Sequence, residues 1–95
     1  MRTITALLVL FIFAACTTPL YVPAEKNVNK VQTASLAELQ QGYELYKSNC
    51  GNCHKISKPA DHSADQWTKI LEKMGPKAKL STEKVDLVYK YLVNH

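Results

Sequence analysis

Apolar residues recur at helical spacing in three stretches between Leu36 and Leu92, and nothing in the chain alternates as a strand would. The pattern predicts an all-α domain of short helices. Ser35-Leu36-Ala37-Glu38 has the form of a capping box, with Ser at the cap and Glu three residues later. Behind it Leu36, Leu39, Tyr43 and Tyr46 share one face, so a helix should run to about Ser48. A second box, Ser63-Ala64-Asp65-Gln66, opens a helix whose apolar face is Trp67, Ile70, Leu71 and Met74, and Gly75-Pro76 is expected to stop it. A third helix is expected after Ser81, with Val85, Val88, Tyr89 and Leu92 on one side.

This helical part is small. The chain has 95 residues, the first fifteen read as an export leader, and a linker-like stretch follows. About sixty residues then remain to form a core, which is marginal without a disulfide, a metal or a large cofactor. The formal charge is +4, and losing Arg2 with the leader leaves 11 Lys against 8 acids, or +3. With the lysines spread along the chain, that balance argues against a nucleic-acid binder. No Ser/His/Asp set, carboxylate pair or phosphate loop suggests hydrolysis or phosphoryl transfer.

The N-terminus speaks to location. Arg2 precedes the apolar run Ala6 to Phe13, then Ala14-Ala15 and Cys16. The run is too short for a permanent span, which needs roughly 20 residues. Phe13-Ala14-Ala15-Cys16 resembles the bacterial lipobox, although Phe13 stands where Leu is usual. The resemblance implies that residues 1–15 are removed and that Cys16 is lipidated. Thr17, in place of the Asp that favours inner-membrane retention, implies the outer membrane. Residues 16–34 carry Pro19, Pro23 and a polar run without apolar periodicity. They read as a flexible tether, with a coil reach of roughly 22 Å. Packing of Tyr21 and Val22 on the domain or on lipid is the second reading. The folded domain is expected over 35–95.

Cys50-Gly51-Asn52-Cys53-His54 carries the chemistry. A Cys-x-x-Cys-His run is the attachment sequence of a c-type haem. Its two thiols reach two vinyl groups on one porphyrin edge, and the adjoining histidine is carried under the ring to bind iron. Three other readings compete. A thioredoxin-like pair needs a strand–helix setting that the pattern lacks. A zinc site needs four ligands, and adjacent Cys53 and His54 suit one tetrahedral ion poorly. A plain Cys50–Cys53 disulfide leaves His54 without a task.

Gly42, Tyr46 and Cys50 fall at i, i+4 and i+8, on one side of the first helix. With the attachment motif, this spacing resembles class I cytochromes c, and the likeness covers Leu36 to Asn94. It implies a small fold of three to four helices around one covalent haem c, held by Cys50, Cys53 and His54. It also implies that Gly42 lets the first helix cross close to the last, with Tyr46 and Tyr91 packed at the crossing. Val88-x2-Tyr91-Leu92 is the matching C-terminal pattern.

The same resemblance makes Met74 the sixth iron ligand, a role that raises the reduction potential. The bland alternative makes Met74 one more core residue. His62 is the rival ligand, while His95 is terminal. Pro59 is expected either to offer its carbonyl to Nδ1–H of His54 or to serve only as a turn residue. Trp67 is expected to pack in the core or to hydrogen-bond a haem propionate. Lys55, Lys58, Lys77 and Lys79 are either ordinary solvated charges or a ring that steers acidic redox partners. The implied function is a monomeric one-electron carrier, membrane-anchored and facing the periplasm. An open sixth position would instead make a haem peroxidase or a gas sensor.

Overall fold

The computed structural model describes residues 20–50 and 56–95. The leader, Cys16, Gly51, Asn52, Cys53, His54 and Lys55 lie outside the described residues. Among the described residues all regular structure is helical: α1 (Leu36–Cys50), α2 (Ala64–Lys77) and α3 (Thr82–Val93), with single 3-10 turns at Glu25–Asn27 and Pro59–Asp61. None of these helices is long and apolar enough to cross a membrane.

The helix starts follow their caps. The Glu38 amide donates to Ser35 Oγ at 3.2 Å, and the Ser35 amide donates back to Glu38 Oε1 at 3.1 Å. Ser63 and Gln66 make the same reciprocal pair, and Ser81 Oγ accepts from the Lys84 amide. Each cap satisfies amide donors that the first helical turn leaves without partners.

The end of α2 differs from the expected stop at Gly75-Pro76. The helix runs on to Lys77, with Pro76 inside its last turn. Proline's φ suits a helix, and its missing N–H forfeits a single bond at the end of the ladder. The left-handed residue is Lys79, at φ 58°, not Gly75. The Leu80 amide donates to the Gly75 carbonyl and the Lys79 amide to the Pro76 carbonyl. These two bonds define a Schellman cap, here with lysine where glycine is usual.

The core lies where α1 and α2 meet α3. Tyr46, Trp67, Leu71, Val88, Tyr91 and Leu92 form its buried cluster, with Tyr43, Ile56, Ile70, Val85 and Tyr89 half-buried around them. A Cβ on Gly42 would stand 2.1 Å from the Leu87 carbonyl oxygen and 2.8 Å from Tyr91 Cβ, so α1 crosses α3 at backbone contact. Tyr46 and Tyr91 pack there with ring centroids 6.2 Å apart, and Tyr43 lies 5.4 Å from Tyr91. The cost of glycine within a helix, about 1 kcal/mol against alanine, is tied to this close approach.

Residues 20–34 are not a free tether. They form a strap across the end of α3. Tyr21 stacks on Tyr91 at 4.4 Å, the Tyr21 hydroxyl donates to the Tyr91 carbonyl, and the Tyr91 hydroxyl donates to the Tyr21 carbonyl. Asn27 and Asn94 are buried and paired: Asn27 Nδ2 donates to the Asn94 carbonyl, and Asn94 Oδ1 accepts from the Val31 and Gln32 amides. Among the described residues no buried side-chain polar atom lacks a partner. Buried amides satisfied in this way fix one arrangement of the strap, since an unpaired one would cost about 1–3 kcal/mol.

Candidate functional site

The Cys-x-x-Cys-His run begins at the last residue of α1. Gly42 and Tyr46 belong to the buried stripe of that helix, and Cys50 continues the line one turn further. The Cys50 side chain is half-buried and its thiol is free. Burial pushes this thiol's pKa up, which keeps it protonated. Cys53 and His54 lie outside the described residues. Ile56 packs on the core, and Ser57 is clasped from α1: the Tyr46 hydroxyl donates to its carbonyl at 2.5 Å. Desolvation raises the Tyr46 pKa, so the phenol stays a donor. One tyrosine therefore ties Ser57 to the helix that ends at Cys50.

Pro59 and Trp67 take the turn and core roles that were among those expected of them: Pro59, buried, opens the 3-10 turn, and Trp67 packs in the core cluster. The Trp67 indole N–H donates to the Pro59 carbonyl at 2.9 Å, within the buried core. The indole has a single N–H donor, and in this arrangement that carbonyl takes it. The Pro59 carbonyl is engaged by tryptophan, and the pair fixes the 3-10 turn against the start of α2. His62 lies edge-on to Trp67, with centroids 4.8 Å apart and planes at 84°. Trp67 also meets Tyr46 edge-on at 6.0 Å. An aromatic row thus runs from His62 through Trp67 and Tyr46 to Tyr91.

Met74 stands outside the core and is 40% exposed. The reason lies in the phase of α2. Its buried residues are Trp67, Leu71 and Gly75, spaced by four, so the last turn faces α3 with glycine rather than methionine. A Cβ on Gly75 would meet Val85 Cγ2 at 2.8 Å. The reading of Met74 as a core residue fails on this point, and its thioether is left available to a ligand. Lys58, Lys77 and Lys79 are all exposed.

The donors fit a covalent haem by their chemistry: two thiols and an imidazole within five residues of sequence, and a thioether uncommitted to packing. Among the described residues there is no His/Cys/Asp/Glu group able to hold a metal ion, a set that leaves Cys53 and His54 out. Sequence reading missed the Tyr46–Ser57 clasp and the Asn27–Asn94 pair. A tyrosine one turn before a cysteine motif is a visible signal for the first, whereas nothing local marks the second. The chain matches no known family model, no characterised protein and no solved structure.

Proposed function

We propose that this chain is a lipid-anchored monohaem cytochrome c of the class I type, carrying one electron at a time. Cys50 and Cys53 would hold the porphyrin by thioethers, His54 would bind the iron, and Met74 would supply the sixth ligand. The group, when bound, supplies the one-electron change at iron. The chain's own residues position and shield it. Gly42 brings α1 onto α3, Tyr46 ties Ser57 to the helix that ends at Cys50, and the exposed lysines are available to acidic partners. The anchor at Cys16 would hold the protein at the outer membrane, on its periplasmic side.

The observation that carries this reading is the attachment sequence set at the end of a helix whose Gly42 and Tyr46 lie at the crossing with Tyr91. A zinc or disulfide reading has no use for that conjunction. The direct experiment is the mass of the denatured mature protein, which should exceed that of the acylated polypeptide by one haem. A mass without this increment ends the proposal. The ferric spectrum then tests Met74. Methionine ligation gives low-spin iron with a weak far-red band, and Met74→Ala should abolish the band and lower the potential. Five-coordinate, high-spin iron in the unsubstituted protein would instead favour the peroxidase or gas-sensor reading.

A further inference from the structure

The strap changes what an anchor at Cys16 does, an inference that rests on the lipoprotein reading. A free linker from Cys16 to Ser35 would let the domain move up to roughly 65 Å from the bilayer. Tyr21, however, is fastened to Tyr91 by stacking and two reciprocal hydrogen bonds, and Asn27 and Asn94 hold the strap further along. Only five residue steps separate Cys16 from Tyr21, a span of at most ~18 Å however the chain runs. The start of the strap, at Tyr21, is therefore held within that distance of the anchor, however the domain is turned.

Its surface suits that place. Among the described residues three large hydrophobic side chains are exposed, and two of them, Val22 and Val31, belong to the strap. Lys26 and Lys30 are exposed in the same segment, with Glu25 as the only acid from residue 20 to 34. Scattered apolar side chains with a basic excess match the boundary of an anionic bilayer. We propose that the strap is a docking surface for anionic phospholipid, so that the domain lies against the membrane rather than hanging from it.

The test uses the full chain, expressed with its leader in a bacterium that processes lipoproteins. The mature mass is read first. Unmodified Cys16 overturns the anchor and the docking together, whereas acylated Cys16 keeps the anchor and leaves docking to be judged alone. The acylated protein is then placed in vesicles of mixed phosphatidylethanolamine and phosphatidylglycerol, and its lysines are acetylated and read by peptide mass. Labelling of Lys26 and Lys30 should fall about fivefold relative to detergent micelles, while the exposed Lys69 and Lys73 of α2 keep their rates. Val22→Ser with Val31→Ser, both at exposed positions, should restore much of the labelling. Equal labelling of all four lysines in vesicles, or an equal fall in phosphatidylcholine vesicles, would overturn docking to anionic lipid with the anchor intact.

Discussion

The two junctions that hold α3 are built differently. Where α1 crosses it, peptide meets peptide: the nearest neighbour of a Cβ on Gly42 would be the Leu87 carbonyl oxygen. Where α2 meets it, the corresponding neighbour of Gly75 is a single methyl of Val85, and the helices part over a cleft of about 490 Å³ lined by Leu71, Pro76, Leu80, Val85 and Tyr89. The first junction can relax only by moving backbone. The second can yield through side chains. The stiff half carries Cys50, and the yielding half carries Met74.

The difference can be broken most sharply at Gly42. Gly42→Ala should destabilise the domain by ~3 kcal/mol, the upper part of the range for overpacking, because no rotamer relieves a clash with a carbonyl. Urea unfolding followed by circular dichroism measures this, and an unchanged midpoint would remove the close crossing from the account. Trp67→Phe should cost about 1 kcal/mol, since it leaves the buried Pro59 carbonyl without its donor while keeping most of the apolar contact. Gly75→Ala should change stability by less than about 1 kcal/mol, because the helix-propensity gain offsets the pressure on Val85. If it cost as much as Gly42→Ala, the two junctions would be alike after all.

The smallest effect concerns an ion pair spanning the stiff junction. Lys90 Nζ lies 2.7 Å from Glu38 Oε2, and this hydrogen bond is the main cause holding the Glu38 carboxyl below its ordinary pKa. A depressed carboxylate adds stability above its unfolded pKa and loses it as pH falls through the folded value. The same contact raises Lys90, whose contribution is present below its ordinary pKa near 10.5 and fades as pH rises past the folded one. Glu38→Gln should therefore lower the melting temperature slightly at neutral pH and not at all in acid well below pH 4. Equal losses at both pH values would indicate a packing effect rather than a charge effect.

The helices were legible because their signals are local. Two capping boxes and Ser81 marked their starts, and the resemblance carried by Gly42, Tyr46 and Tyr91 implied the close crossing of α1 and α3. The buried stripe of α2 was read with Met74 on it because an apolar count cannot see that Gly75 is the residue turned inward. Its end was misplaced because Gly-Pro reads as a stop, while a lysine in the left-handed conformation carries no letter that marks it. The strap was hidden for a different reason. Asn27 and Asn94 meet across 67 positions through side chain and backbone, a pairing with no period to detect. Their polarity also looks like solvated linker until each partner is known. As for the candidate site, the Cys-x-x-Cys-His spacing is a local signal, but the partners of Pro59 and Trp67 required three dimensions.

The phenol of Tyr46 on the Ser57 carbonyl has one more consequence. It ties Ser57 to α1 one turn before Cys50, beside the packing of Tyr46 on Tyr91. If the proposed haem is held by Cys50, Cys53 and His54, it would gain or lose charge next to a frame that has little freedom to rearrange. Small reorganisation energy is the property that lets electrons hop quickly, and here a hydroxyl outside the motif would help to provide it.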